Sequence, residues 1–192
     1  SNIQTIADAG SWGMGALGFS FVSPDAALAW VNKYYNQLLH HPNRLTEYAI
    51  NPNVAIVNGF MCAETDEEAL EKAAGWTFFI FALSYYGRKG VDAPGKSNLW
   101  NEYQDWRKTD KAKDALRNGL IGSPETIRKR LRLFESAHID QVILLNQAGK
   151  TSHQDICDSL KMFAEEVMPE FHARQPEQDE WKRQVLAGDI VL

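Results

Sequence analysis

The feature that most constrains this sequence is a repeated order of apolar runs and helix-start signals. Residues 15–22 form an apolar, glycine-punctuated run. Ser23-Pro24-Asp25 then supplies an N-cap residue, a proline suited to the first helical turn and an early acid. The same signature returns at Ser123-Pro124-Glu125, after the short apolar pair Leu120-Ile121. This order predicts strands that each lead directly into a helix.

Two further units complete the pattern. Residues 54–63 form a β-prone apolar run that leads into a capping box at residues 65–68. Residues 139–145 are apolar almost throughout, as expected for a parallel strand covered on both faces, and an amphipathic helix follows the loop at 146–152. Four strand–helix units predict an α/β fold with a parallel sheet, either open or half of a barrel. No Gly-x-Gly-x-x-Gly follows the first strand, so a dinucleotide-binding fold has no direct support.

The remaining segments are less regular. Residues 3–9 are predicted to form a helix before the first strand. Residues 87–119 mix glycine, proline and charged residues with aromatic ones, which indicates a long excursion between units with at most one short helix. From residue 172 the sequence is polar. We therefore expect one domain over residues 1–171, followed by a C-terminal tail over residues 172–192.

Length, charge and cysteine content exclude several classes of protein. The 192 residues can bury a core, but a complete barrel needs about 250. A net charge of -5 provides no basic field for nucleic acid. The longest apolar run is too short to span a membrane and no signal-peptide pattern opens the sequence, so a cytoplasmic protein is expected. Cys62 and Cys157 lie in apolar patterns and are interpreted as buried free thiols, without metal-ligand spacing to another Cys or His.

The order and spacing of these units resemble the C-terminal half of luciferase-like flavin monooxygenases. GMGALGFSFVSPDAALAWVNKYY at 13–35 and VAIVNGFMCAETDEEALEKA at 54–73 resemble the family's fifth and sixth strand–helix units. Residues 122–171, from GSPETIRKRL to VMPEF, resemble its closing segment. The resemblance implies the C-terminal half of a TIM (β/α)₈ barrel with about four parallel βα units. It also implies a fragment of a longer enzyme, one product of a split gene or a natural half-barrel.

The resemblance further implies a flavin-dependent monooxygenase. Reduced FMN from a flavin reductase would be the cofactor, O₂ and a small organic molecule the substrates, and the flavin would supply the oxygen chemistry. In a related branch a deazaflavin replaces FMN and hydride transfer replaces oxygen insertion. A third interpretation is a non-catalytic flavin-binding or self-pairing half-barrel. Exposed parallel edges favour a homodimer or pairing with the missing half, and the chain alone is expected to be inactive.

Five residues are predicted to contact the cofactor. Ser1, Asn2 and Thr5 begin the first helix and match a phosphate-binding cluster of the family. A helix N-terminus suits a phosphate, but the same residue types also make an ordinary helix cap. Phe19 and Ser20 end the first strand, where the family sets an aromatic or polar side chain against the flavin ring; core packing is the alternative for Phe19. No catalytic residue and no metal site are predicted.

Three further sets have both a binding and a packing interpretation. Gly59 and Phe60 end the second strand as pocket walls or core, and the loop at 147–152 is either a phosphate site or a capped loop. The aromatic residues over 76–86, with Trp100 and Trp106, either roof an apolar pocket or form a buried helix or subunit interface. The five histidines are interpreted as scattered, without an i, i+4 partner or adjacent nucleophile, which disfavours hydrolases and metalloenzymes. His138 stands where a helix-ending glycine is expected and is interpreted as structural.

Overall fold

The computed structural model describes residues 2–19, 24–89, 96–147, 149 and 151–192. Helices and strands alternate along them, and β1 and β3 each pair in parallel with β2, which confirms the α/β prediction. In chain order the elements are α1 Ile3–Trp12, β1 Ala16–Phe19, α2 Pro24–His40, β2 Val54–Cys62, α3 Asp66–Lys72, α4 Ala74–Lys89, α5 Leu99–Trp106, α6 Asp110–Arg117, β3 Leu120–Gly122, α7 Pro124–Ser136, β4 Gln141–Leu145, α8 His153–Glu166 and α9 Met168–Ala187.

The chain divides into two compact units. The first unit comprises Ser1–Asn58, Lys129–Ile143 and Met168–Leu192, and the second comprises Gly59–Arg128 and Leu144–Val167. The boundaries fall inside β2 and β4, so each of these strands contributes its first part to the first unit and its second part to the second unit.

In the first unit, β1 lies beside the first part of β2. Their parallel register runs from Ala16 opposite Val54 to Phe19 opposite Val57. Strand β4 also pairs with β2. Because side chains alternate between the two faces of a strand, one face of these strands packs on helices and closes the core. That core includes Ala16, Ala27, Trp30, Val31, Val54, Ile56, Phe134 and Ala137, with Val142 against it.

The opposite face of strands β1 and β4 carries exposed apolar side chains. Leu17, which pairs with Ala55, is 57% exposed, and Ile143 is 37% exposed. The prediction that residues 139–145 are covered on both faces is therefore wrong. An apolar run shows that a strand has a buried face, but it does not show how many faces are covered.

A tight turn joins α1 to β1. Gly13 has a φ of 75°, in the left-handed region that favours glycine, and its N–H donates to the Gly10 carbonyl at 3.0 Å. The Tyr34 hydroxyl donates to the Met14 carbonyl at 2.8 Å and fixes the turn against α2. Because only residues 13–15 connect the two elements and α1 packs back against β1, the two run in opposite directions. The start of α1 and the end of β1 therefore lie at the same end of the unit.

Residues 172–187, which the sequence predicts to belong to a polar tail, form most of helix α9. This helix packs in the first unit. Val185 is fully buried in the core of this unit. The Trp181 and His138 rings are stacked, with centroids 3.7 Å apart and planes 3° apart. His138 has a φ of 55°, so it takes the helix-ending conformation that usually belongs to glycine. This agrees with the structural role predicted for His138.

Asp140 joins four segments of the first unit. Its Oδ2 accepts the Val54 N–H at 2.7 Å and the Tyr35 hydroxyl at 3.3 Å. Its Oδ1 accepts from Lys182 Nζ of α9 at 2.9 Å, and the same ammonium donates to the Pro52 carbonyl at 2.5 Å. The carboxylate thus fixes the starts of β2 and β4 to helices α2 and α9.

In the second unit, β3 lies beside the second part of β2. Their register runs from Phe60 opposite Leu120 to Cys62 opposite Gly122. Both faces of this part of β2 are covered. The Trp76 ring lies against Gly59, where a Cβ atom would overlap it, and on the alternate face Phe60 contacts the Phe163 ring edge at 5.2 Å between centroids.

The excursion at residues 87–119 contains two short helices, α5 and α6, where at most one was expected. Helix α5 packs on α4 through ring pairs whose centroids lie 5.0–5.9 Å apart. These rings belong to Phe78 and Phe81 of α4 and to Trp100, Tyr103 and Trp106 of α5. The aromatic stretch is therefore a packed cluster within the second unit.

Candidate functional site

The start of α1 is the first predicted phosphate position. Asn2 is the N-cap residue, and its Oδ1 accepts the Gln4 N–H at 2.9 Å. Thr5 is exposed one turn into the helix. Ser1 lies outside the described residues. The side chain of Asn2 therefore acts as a cap here, while the hydroxyl of Thr5 remains at the surface of the same end.

The end of β1 lies at the same end of the first unit. The backbone of Phe19 ends the strand, but the side chain of Phe19 and all of Ser20 lie outside the described residues. Gly13, Gly15 and Gly18 have dinucleotide-fingerprint spacing, a feature that the sequence analysis did not use. They join a helix to a strand, whereas a dinucleotide loop joins a strand to a helix, so they do not support a dinucleotide site.

The loop at 147–152 is fixed at both of its described ends. Gly149 has a φ of 77°, and a Cβ atom there would lie 2.6 Å from the Gly75 Cα, so the loop backbone lies directly on the start of α4. Ser152 caps α8 by accepting the Asp155 N–H at 3.1 Å. Ala148 and Lys150 lie outside the described residues. This geometry is that of a capped loop, and Asp155 already places a carboxylate in the first turn of α8.

Gly59 and Phe60 are both covered by aromatic rings of the second unit. The Trp76 ring covers Gly59, and Phe163 covers Phe60. The Trp76 Nε1 is buried without a hydrogen-bond partner among the described residues. Packing is therefore the role that the described contacts give to both predicted pocket residues.

Asn58 is a buried polar residue that the sequence analysis passed over. It is the one polar side chain in β2, it is 1% exposed, and neither amide atom has a hydrogen-bond partner within the described part of the chain. A buried amide without partners costs roughly 1–3 kcal/mol, so such a residue in a strand requires an explanation. Its signal in the sequence is a lone Asn within the apolar run 54–63.

An open groove of about 500 Å³ lies in the second unit. It is lined by Glu64, Pro124, Asp158, Lys161, Met162, Glu165 and Glu166. Four carboxylates against one ammonium disfavour an anionic ligand. A flavin phosphate is therefore a poor ligand for this groove, and none of the predicted cofactor residues lines it.

The two cysteines differ from each other. Cys62 is buried, as predicted, and burial raises the pKa of its thiol to about 11, so the thiol is protonated at neutral pH. Cys157 is exposed, so the prediction that it is buried is wrong. Its Sγ lies 3.5 Å from the Nε2 of His153, four residues earlier on α8. The interpretation that no histidine has an i, i+4 partner or a nearby nucleophile is therefore also wrong.

Among the described residues, no group of three or more His, Cys, Asp or Glu side chains is arranged to hold a metal ion.

Burial and the Asp140 carboxylate raise the pKa of Tyr35 above its ordinary value. Asp140 lies at the start of β4 and accepts from the Tyr35 hydroxyl of α2, whereas barrel active sites lie at the strand ends. No helix in the described ranges has the length and apolar character that a membrane span requires.

Parallel strands that each lead into a helix place this chain in the class of α/β folds that includes (β/α)₈ barrels. No family profile and no curated protein matches the sequence. Solved structures do match it, and they show that its fold is that of about half of a (β/α)₈ barrel, as the sequence predicted.

Three of these structures illustrate the likeness. The monooxygenase RslO1 from Streptomyces bottropensis is 15% identical with a TM-score of 0.58, over 88% of this chain and 46% of that one. The coenzyme F420-dependent tetrahydromethanopterin reductase from Methanopyrus kandleri is 18% identical with a TM-score of 0.58, over 88% and 49%. The oxygenating constituent of 3,6-diketocamphane monooxygenase from Pseudomonas putida, in complex with FMN, is 19% identical with a TM-score of 0.55, over 85% and 45%. This chain spans about half the length of these structures.

Proposed function

We propose that this chain forms about half of the barrel of a flavin- or deazaflavin-dependent oxidoreductase of the luciferase-like class. The fold carries this proposal, because the structures that it matches include a monooxygenase in complex with FMN and an F420-dependent reductase. The bound cofactor would supply either the oxygen chemistry or the hydride transfer. FMN, reduced by a partner reductase in the cytoplasm, and a small organic substrate are our first choice.

Charge at the helix starts supports α1 as the phosphate position. Helices α3, α5, α6, α7, α8 and α9 each have an acidic residue in the first turn, and α2 has Asp25 there. Helices α1 and α4 have none, and α4 follows α3 directly. The positive end of a helix dipole is best able to bind an added anion where no carboxylate already occupies it.

We assign the other predicted cofactor residues to this end of the first unit. Because α1 and β1 run in opposite directions, Asn2 and Thr5 of the helix start lie at the same end as the backbone of Phe19 at the strand end. In our proposal Ser1, Asn2 and Thr5 hold the phosphate, and Phe19 and Ser20 contact the ring system. These residues bind and orient the cofactor, and no proton transfer is assigned to them.

The test is a fluorescence titration of the chain with FMN, F420 and riboflavin, which has the flavin ring but no phosphate. We expect FMN or F420 to bind more tightly than riboflavin. Thr5→Ala should weaken binding of the phosphorylated ligand and leave riboflavin binding unchanged. Thr109→Ala, at the exposed start of α6, is the matched control. Equal affinity for FMN and riboflavin would remove the phosphate assignment, and no binding of any of the three would contradict the cofactor proposal.

The exposed apolar face of β1 and β4 supports the proposal that this chain needs a partner. Leu17 and Ile143 both lie on the face opposite the helices, and apolar side chains on a sheet face favour contact with another layer. In our proposal a second copy or a complementary half-barrel covers this face, and the chain alone has no oxygenase activity. Reductant-coupled oxygen consumption at full rate by the isolated chain would contradict this part of the proposal.

A non-catalytic, self-pairing half-barrel is the second candidate, and the same exposed face favours it. Light scattering separates it from an enzyme fragment: a stable homodimer that binds flavin without turnover supports the second candidate. Leu17→Lys should then reduce the dimer fraction, while Leu83→Lys, at an exposed position of α4 in the second unit, should not.

A further inference from the structure

Helix α8 presents a histidine and a cysteine on one exposed face, one turn apart. His153 and Cys157 are both exposed, and the distance from Sγ to Nε2 is 3.5 Å. Residues four apart on a helix face the same way, and the Ser152 cap fixes the turn from which His153 projects. The pair lies in the second unit, apart from the residues assigned to the cofactor.

The separation of the two donor atoms fits a zinc ion. Zinc binds cysteine sulfur at about 2.3 Å and histidine nitrogen at about 2.0–2.1 Å with tetrahedral angles, which places the two donors about 3.5 Å apart. The observed distance between Sγ and Nε2 is the same. The side chains can therefore bind an ion without changing their backbone.

Nearby carboxylates are already engaged. Asp155 accepts from Ser152 and forms an ion pair with Lys72 at 3.3 Å. Asp158 accepts from the Gln154 amide at 2.8 Å. With two protein donors, half of a tetrahedral shell remains open.

The same helix face indicates what fills the open half. Leu160 and Ala164 follow Cys157 at the helical repeat, and both are exposed, Leu160 by 41%. A second copy that packs this face against itself around a twofold axis brings a second His153 and Cys157 to the same ion. Such an isologous contact needs no complementary surface other than itself.

We propose that His153 and Cys157 of two chains bind one Zn²⁺ in a Cys₂His₂ site that joins α8 to its copy. On binding, each thiol releases its proton to solvent and each imidazole binds through Nε2, so two protons leave for each zinc ion. Leu160 and Ala164 of the two chains meet beside the ion.

The test uses the full chain, reduced and freed of metal. Light scattering with and without Zn²⁺ should show a zinc-dependent doubling of the particle mass, whether or not the sheet face already pairs two chains, and calorimetry should give half an equivalent of zinc per chain. Co²⁺ in place of zinc should show thiolate-to-metal charge transfer and the intense visible bands of a tetrahedral site.

Variants assign the donors. Cys157→Ser and His153→Gln should each weaken zinc binding at least tenfold and abolish the zinc-dependent dimer. His172→Gln removes an exposed histidine of α9 and should change neither. One zinc per chain without a dimer would overturn the bridged site, and zinc binding that survives Cys157→Ser would overturn the assignment. The absence of a cobalt charge-transfer band would overturn it as well.

Discussion

Replacing Asp140 with asparagine tests how far one carboxylate holds the first unit together. The Asp140 side chain is 13% exposed and accepts hydrogen bonds from Val54, Tyr35 and Lys182. Asparagine has a similar shape but carries no charge, and its NH₂ group cannot accept a bond. Asp140→Asn therefore keeps at most one of the hydrogen bonds from Val54 and Lys182. The bond that remains has an uncharged acceptor.

The expected loss follows from those bonds. A hydrogen bond to a charged group contributes about 1.5–3 kcal/mol and a neutral one about 1 kcal/mol. Losing the charge assistance of the Val54 bond (about 0.5–2 kcal/mol) and the whole bond to Lys182 (about 1.5–3 kcal/mol) gives a destabilisation of about 2–5 kcal/mol. For a chain of this size that corresponds to a fall in Tm of roughly 4–20 °C.

The assay is thermal and urea unfolding followed by far-UV circular dichroism and tryptophan fluorescence, which reports on Trp181 near Tyr35. Asp179→Asn is the control, since Asp179 is exposed on α9 and accepts only from a glutamine one turn away. Lys182→Met and the double variant complete a cycle, in which we expect a coupling of about 1–2 kcal/mol. If Asp140→Asn unfolds within 0.5 °C of the control, the carboxylate does not join these segments as argued.

Three further predictions concern single contacts. Gly59→Ala should destabilise the second unit by about 1–3 kcal/mol, because the new Cβ overlaps the Trp76 ring; urea midpoints measure this. Ser159→Ala removes the buried hydroxyl that accepts the Cys62 N–H at 2.7 Å and should cost about 1–3 kcal/mol by the same assay. Glu170, whose pKa its arginine partners lower to about 2, stabilises the fold above its usual pKa near 4.5, and this contribution disappears as the pH falls towards 2. The difference in unfolding midpoint between wild type and Glu170→Gln should shrink over that range.

Two substitutions of the same kind at exposed or uncrowded positions serve as controls for Gly59→Ala and Ser159→Ala. Gly87→Ala places a Cβ where, beyond its own helix turn, no atom of the described residues lies within 4 Å, so it should not destabilise the chain. Ser136→Ala removes an exposed hydroxyl that bonds only within its own helix turn, and it should change stability by less than about 0.5 kcal/mol. Equal losses in test and control variants would contradict the contacts named. If the difference in unfolding midpoint between wild type and Glu170→Gln stays constant between pH 5 and 2, the ion pairs of Glu170 do not stabilise the fold as argued.

Local signals predicted those elements that local chemistry determines. The capping box gave the start of α3, where Thr65 accepts the Glu68 N–H at 3.2 Å. The run 54–63 gave β2 to within one residue, and Ser123-Pro124-Glu125 gave the start of α7. Each of these depends on residues within four positions of one another, so the order of side chains in the sequence is sufficient.

Local sequence signals do not predict contacts between segments that are distant in the chain. The polar composition after residue 172 conceals a helix that docks through Trp181 and Val185, whose partners are more than forty residues away in the chain. The exposed face of β4 and the exposure of Cys157 depend on what the rest of the chain covers. The pair of His153 and Cys157 was different, because its i, i+4 spacing was visible in the sequence and went unused.

Asp66 shows why choosing one helix start for the proposed phosphate needs the structure as well as the sequence. In the sequence it is an acid in the first turn of α3, favoured there by the helix dipole. In the structure its carboxylate also accepts the Ser123 N–H at 2.7 Å and the Thr126 hydroxyl at 2.9 Å, so it occupies the start of α7 as well. A helix start can therefore hold a carboxylate from a distant segment in addition to its own acid, and the sequence around the helix does not show this. The start of α1 is capped by the neutral amide of Asn2 and has no acid in its first turn, and this is why our proposal assigns the phosphate to it.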